Sequence, residues 1–472
     1  MTFRPWRVAA PRFVFAVAAL AALGLPGERN AAAEPPAEPL RIEAWIRDGR
    51  PQARETRILE HLADCDAPAE VPLSRFGGWT AGGREEPTGF FYPKRIGDRW
   101  WLIDPEGYRF LKIGVNSVRA GRSPQNRRAF PERFGTMEKW RDATLELLAA
   151  HGFQGTGSWS DDAVLAEGTP RPVYTPNLNF MSGYGRIRGR TYQLPGHTGY
   201  PNRCMFVFDP EFEQYADERA RELAERKDDP YLLGYFSDNE LPFPNDSLDR
   251  YLQLDAKDPG RQAAERWWAE RRGDADRAIA DADRRAWLGY LADRYYSICA
   301  RAIKQHAPNH LYLGSRLYSS ERNVPELMQA VGRHVDVIAV NLYGAWQPST
   351  ERLRQWSEGS GRPLLLTEWY AKGADSGMSN LSGAGWTVPT QKDRGHFYQT
   401  FTLALLESRV CVGWHWFKYM DNDPEDKTAD PSNIDSNKGI VTTAYEPYTP
   451  LLDAMRQLNA VAYPLTEYFD RR

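Results

Sequence analysis

Two glutamates stand where apolar runs of the sequence end. Glu240 closes "YLLGYFSDNE" (231–240) just before Pro242 and Pro244, and Glu368 closes "RPLLLTE" (362–368). An apolar strand that stops at Asp238-Asn239-Glu240 delivers a carboxylate to the rim of a sheet rather than into its core. Two carboxylates flanking one bond can hydrolyse a glycoside, one protonating the leaving oxygen while the other attacks or activates water. Other apolar runs also end in polar or aromatic residues: Asn116, Trp159, Asn177 with Asn179, Arg316, Asn341 with Tyr343, Trp369, and His415-Trp416. Asn239 suits the sugar hydroxyl beside the reacting carbon, Tyr343 can donate to an ionised carboxylate, and Trp416 offers a flat apolar floor to a sugar ring. Asn116, Trp159, Arg316, Trp369 and His415 complete the substrate-binding candidates, with Trp386 as a further aromatic platform.

Such chemistry needs strands whose ends converge. After Phe110 short apolar runs alternate with segments of helical periodicity. Strands are expected over 110–116, 153–158, 173–179, 232–237, 311–316, 335–341, 363–367 and 411–416. Helices are expected over 137–151, 210–227, 284–306, 323–333, 349–357, 393–407 and 449–460. This is the pattern of an α/β chain folded as a (β/α)₈ TIM barrel, whose active sites lie at the C-terminal ends of the strands. Glu240 and Glu368 then close the fourth and seventh strands, which face one another and can bring the carboxyls to about 5–5.5 Å, the spacing of a retaining, double-displacement enzyme. The 241–283 stretch is too long for a simple crossover and predicts a helical insertion after the fourth strand. Residues 34–109 read as a linker and a small β-rich segment, with Asp104-Pro105-Glu106-Gly107 as a turn between two apolar runs. The catalytic barrel is expected over 110–472.

Arg4, Arg7 and Arg12 precede an apolar run at 13–25, and Ala31-Ala32-Ala33 follows, so 1–33 reads as a signal peptide and the mature protein as secreted or periplasmic. Thirteen apolar residues are too few to span a bilayer, which needs about 20. A net charge of −3 argues against a nucleic-acid partner, and no membrane partner is expected after signal cleavage. The four cysteines form no CxxC pair, and no GxSxG, HExxH or Gly-rich phosphate loop is present, so no metal or organic cofactor is expected. A structural calcium ion in the acidic stretch 421–435 is left open.

The segments "GYFSDNE", "NLYG", "LLLTEWYAKGADSG", "VGWHWFKYMDNDP" and "SNIDSNKGI" together resemble the clan A retaining glycoside hydrolases, and most closely the β-agarases of glycoside hydrolase family 50. The resemblance covers roughly 101–458. It implies Glu240 as acid/base, Glu368 as nucleophile, and a β-galactosidic bond of an agar-type polysaccharide or oligosaccharide as substrate. Many members carry a larger N-terminal domain than this chain does. A hydrolase of a mannan, β-glucan or carrageenan-type galactan, and a barrel that only binds carbohydrate, are the alternatives. Arg119, Arg122, Arg127 and Arg128 after the first strand, with Arg186, Arg188 and Arg190 after the third, would put seven arginines on the catalytic rim and suit a partly sulfated substrate.

Overall fold

The computed structural model describes residues 40–63, 70–274 and 276–472. The expected signal peptide and Cys65 lie outside them. The chain is an α/β fold of helices and mixed sheets, and the described residues belong to the compact unit Pro39–Arg472.

A parallel sheet carries the architecture. Its five strands run in the order Ile338–Asn341, Leu364–Glu368, Cys411–Trp416, Lys112–Val115 and Gly155–Thr156. From its last strand, parallel bridges continue through Gly155 to Val173, Tyr174 to Leu232 and Asn177 to Phe236. Gly234–Tyr235 pairs in parallel with Leu311–Tyr312, and Leu317 bridges in parallel to Val340 of the first strand. Helices intervene as the periodicity requires, including Met137–Ala150, Asp281–His306, Pro325–His334, Thr350–Ser360 and Gln391–Glu407. The 241–283 stretch forms the helices Ser247–Leu252 and Pro259–Arg272.

The parallel strands are buried on both faces, and alternation along them sorts side chains into two cores. Leu233, Phe236, Leu311, Leu313, Val337, Ala339, Leu365 and Val412 pack together as one. Their chain neighbours Leu232, Tyr312, Ile338, Leu364, Leu366 and Cys411 belong to the other, which includes the apolar faces of the helices.

An antiparallel sheet of Trp79–Arg84, Tyr108–Phe110, Arg99–Ile103 and Tyr92–Ile96 precedes the first parallel strand. Its Leu102 and Phe110, with Phe91 and Phe76 from the adjoining loops, pack into the strands' shared core. The expected turn is there: Gly107 N–H donates to the Asp104 carbonyl at 2.9 Å, and Asp104 Oδ1 accepts from the amides of Glu106 and Tyr108, both at 2.9 Å. Gly107 has φ of +94°, a conformation that favours glycine. Among the described residues no helix is long and apolar enough to cross a membrane.

Candidate active site

The C-terminal ends of the strands open into a cavity of about 460 Å³ that both Glu240 and Glu368 line. Each carboxylate is held differently. Glu368 is 5% exposed, and each of its oxygens has a donor: Arg316 Nη2 on Oε1 and the Tyr343 hydroxyl on Oε2. Burial pushes the Glu368 carboxyl above the usual carboxylate range. The Arg316 guanidinium opposes this, the Glu240 charge adds to it, and Tyr343 and Lys438 pull it back. Glu240 is 7% exposed and accepts from Asn341 Nδ2 on Oε1 at 2.8 Å. Its Oε2 faces His197 Nδ1 at 3.5 Å, a buried nitrogen with no hydrogen-bond partner among the described residues.

The third carboxylate of this region, Asp238, is a positioning group. It accepts from the amides of Met181 and Ser182 at 2.7 and 3.0 Å, from the Ser182 hydroxyl at 3.0 Å and from the Tyr295 hydroxyl at 2.7 Å. These bonds pin the strand end to the first turn of helix Phe180–Arg188, where an anion is favoured. Burial raises its pKa to about 6 against those donors. Backbone strain collects here too. Ser117, Trp159, Glu240 and Arg316 all have φ between +50° and +63°, a conformation that costs a non-glycine residue about 1–3 kcal/mol.

The remaining candidates sort by depth. Trp159 and Tyr343 line the cavity. Arg316 lies beneath it, fully buried, with its guanidinium 4.4 Å from the Trp159 ring centroid. Asn116 is also fully buried and donates to the Thr367 carbonyl at 2.6 Å, steadying the residue before Glu368 rather than meeting substrate. Asn239 accepts from Asn341 at 3.2 Å and donates to the Gly196 carbonyl at 3.4 Å. His415 is fully buried near Phe236, with both ring nitrogens unpartnered. Burial, then Lys112 and Arg316, holds its pKa far below the ordinary histidine value. It does not line the cavity.

Trp369 and Trp416 are not sugar platforms. Both are fully buried on the helix-facing side: Trp369 stacks on Phe401 at 4.0 Å, and Trp416 donates to the Lys438 carbonyl at 3.0 Å. The strand's alternation is interrupted between Cys411 and Trp414, where its register against Leu364–Glu368 shifts, so Trp414 and Trp416 share the helix-facing core while Val412 and His415 point inward. Trp386 is buried too, against Trp346 and under Arg54. The aromatic lining of the cavity comes instead from Phe417, Tyr318, Tyr343 and Tyr370, with Trp159. Sequence reading missed Phe417, Tyr318 and His197. Tyr318 and Phe417 each lie one or two residues past a strand-end candidate. His197 sits on the hairpin strands Tyr192–Leu194 and His197–Gly199, which carry no apolar periodicity.

Acidic residues of the 421–435 stretch are occupied by protein donors. Asp421 accepts from Asn437 Nδ2, the Gly439 amide and the Tyr448 hydroxyl, and Asp430 from the amides of Gly196 and Ser432. Among the described residues there is no group of three or more metal-ligating side chains.

No family model matches the sequence. Two curated relatives do: β-agarase B of Vibrio sp. (strain JT0107), 24% identical over 83% of this chain and 50% of that protein, and β-agarase A of the same organism, 25% identical over 80% and 46%. The crystal structure of BpGH50 is 28% identical, covers 92% of this chain and 96% of its own, and superposes with a TM-score of 0.80. This chain is β-agarase-like, similar to the curated β-agarases and to BpGH50. An agarase structure, AgWH50C, shares the fold at 23% identity, a TM-score of 0.69, and coverage of 84% of this chain and 67% of that one. The β-agarase-like chain spans about half the length of the curated relatives it matches.

Proposed function

We propose that this β-agarase-like protein is a retaining glycoside hydrolase that cleaves β-galactosidic bonds of an agar-type galactan by double displacement. One observation carries the reading: Glu240 and Glu368 line one cavity, yet their oxygens are held for different tasks. Donors on both Glu368 oxygens favour its ionised, nucleophilic form. Asn341 holds one Glu240 oxygen and leaves the other on the cavity side, where a proton can pass to the glycosidic oxygen.

In the first step Glu368 bonds to the anomeric carbon as the C–O bond to the leaving sugar breaks and Glu240 gives that oxygen its proton. In the second, Glu240 takes a proton from water, which displaces Glu368 and restores both groups. A (β/α)₈ barrel is the architecture proposed for the scaffold. Its support is the run of parallel pairings and bridges that leads from Ile338–Asn341 through Cys411–Trp416 and Gly155–Thr156 and returns by Leu317 to Val340. The names of the curated relatives support agar as the substrate, and the N-terminal apolar run supports export.

Incubation with agarose, mannan, β-glucan and carrageenan, followed by assay of new reducing ends, tests the substrate. Agarose is expected to be cut fastest, and turnover of another glycan with agarose untouched would overturn the assignment. Proton NMR of the first product tests the stereochemistry, with the β-anomer expected before mutarotation.

A further inference from the structure

The cavity that holds the two glutamates continues into another. Ser117, Arg119, Lys418, Asp430 and Asn433 line both it and a neighbouring cavity of about 890 Å³, so one ligand can lie across the two. The seven arginines expected on this rim divide sharply. Arg188 is committed to Asp209 and to Asp258 at 3.1 Å, Arg128 to Glu425 at 2.7 Å, and neither Arg186 nor Arg190 lines either cavity. Arg119, Arg122 and Arg127 do line the larger one.

The charges there are unequal in their commitments. Of the carboxylates, Asp423 accepts from the amides of Gln125 and Glu425, Asp426 from Thr428, Glu425 from Arg128, and Asp421 and Asp430 from the donors given above, while the Asp161 side chain has no hydrogen bond or ion pair among the described residues. The main chain of Lys418 bonds to Lys438 and Ile440, but neither the Lys418 ammonium nor the Arg119 guanidinium, both at the junction, has a hydrogen bond or ion pair among the described residues. Burial, and next the Arg119 charge, pulls the Lys418 ammonium down to about 8, against the attraction of Asp421, Asp426 and Asp430. Two unpaired cations side by side repel one another until an anion arrives. Beyond them, Asn422 lines the larger cavity at 4% exposure with both its amide oxygen and its amide nitrogen unpartnered. A buried amide with neither group satisfied costs free energy that a ligand's hydroxyls would recover.

Resting on the hydrolase reading above, we propose that Arg119 and Lys418 bind an anionic substituent, a sulfate ester or a carboxylate, on a sugar residue of a glycan lying across both cavities. Arg119 supplies the planar fork that fits either anion, Lys418 a compact charge, and Asn422 the polar groups for ring hydroxyls. The pair therefore sets specificity and leaves the bond-breaking step to Glu240 and Glu368.

The test compares binding of matched agar-type oligosaccharides, neutral, sulfated and carboxylated, to the protein by calorimetry in about 0.05 M and 0.5 M salt. At low salt at least one anionic ligand is expected to bind ten-fold or more tighter than the neutral one, with the preference shrinking at high salt. The anion with the larger ratio identifies the substituent. In Arg119→Gln/Lys418→Gln the anionic-to-neutral ratio is expected to fall to near one, while Arg119→Lys keeps most of it and controls for misfolding. Equal binding of all three ligands, or an unchanged ratio in the double variant, overturns the proposal. Cleavage of the neutral oligosaccharide is scored separately. A binding preference without cleavage of any ligand sinks the hydrolase reading, and cleavage without preference sinks this one.

Discussion

Asn341 holds Glu240: its Nδ2 donates to Glu240 Oε1 at 2.8 Å, while its own Oδ1 accepts from the Thr367 hydroxyl at 2.7 Å, one residue before Glu368. A single amide thus ties the proposed acid/base to the strand that carries the proposed nucleophile. Asn341→Ala is expected to lower kcat/KM about 10- to 100-fold, the value of a hydrogen bond to a charged group. The loss should appear in kcat, with binding of intact substrate to the variant little changed. A loss confined to KM would mean that Asn341 serves sugar binding instead.

Glu240→Gln removes the proton donor and keeps the shape. Natural β-linked substrates, with poor leaving groups, are expected to lose about 10²- to 10⁴-fold in rate, and activated aryl glycosides far less in the first step. Steady-state rates on leaving groups of graded acidity check this. Equal losses across the series would remove the acid role.

Raised by burial, the Glu368 carboxyl protonates at higher pH than an ordinary glutamate, whose pKa is about 4.3. As only the carboxylate attacks, kcat/KM should fall on acidification from a correspondingly higher pH. Tyr343→Phe deletes a donor that favours the ionised form, so the acidic limb should shift further up the pH scale. The pH profiles of the two proteins decide this, and a limb that stays still or moves down contradicts the role given to Tyr343. Stability runs the opposite way from activity: with its pKa raised in the folded state, this carboxyl's contribution is fully present below the unfolded pKa and lost as pH rises through the folded one.

Trp369 and Trp159 should respond oppositely to truncation. Trp369→Ala empties a packed core site and is expected to cost about 3–5 kcal/mol of stability, read by urea unfolding. Trp159→Ala faces the cavity and should raise KM with a small change in unfolding midpoint. A stable Trp369→Ala with a raised KM would restore Trp369 as a platform.

What the sequence made legible was what a strand end makes local. Glu240 and Glu368 terminate long apolar runs, so their arrival at one rim follows from chain continuity and the pattern of strands and helices. Trp369 and Trp416 were illegible because strands buried on both faces are apolar at every position, so alternation exists without marking which side faces inward. Register shifts near Leu364–Leu366 and Val340/Asn341 add to the ambiguity. The commitment of Arg188 to Asp209 and Asp258 joins residues 21 and 70 positions apart, a pairing that only the folded chain creates. His197 reaches Glu240 from a two-stranded hairpin whose polar sequence gives no hint of the visit.

The central claim, that Glu368 is the nucleophile, is tested most directly by Glu368→Gly with azide on an activated β-galactoside. Without azide the variant should be inactive. With azide, which can enter the space the carboxylate leaves, turnover should return and proton NMR should identify an α-configured glycosyl azide. Recovery of a β-configured azide, or wild-type turnover by the variant without azide, would contradict the account.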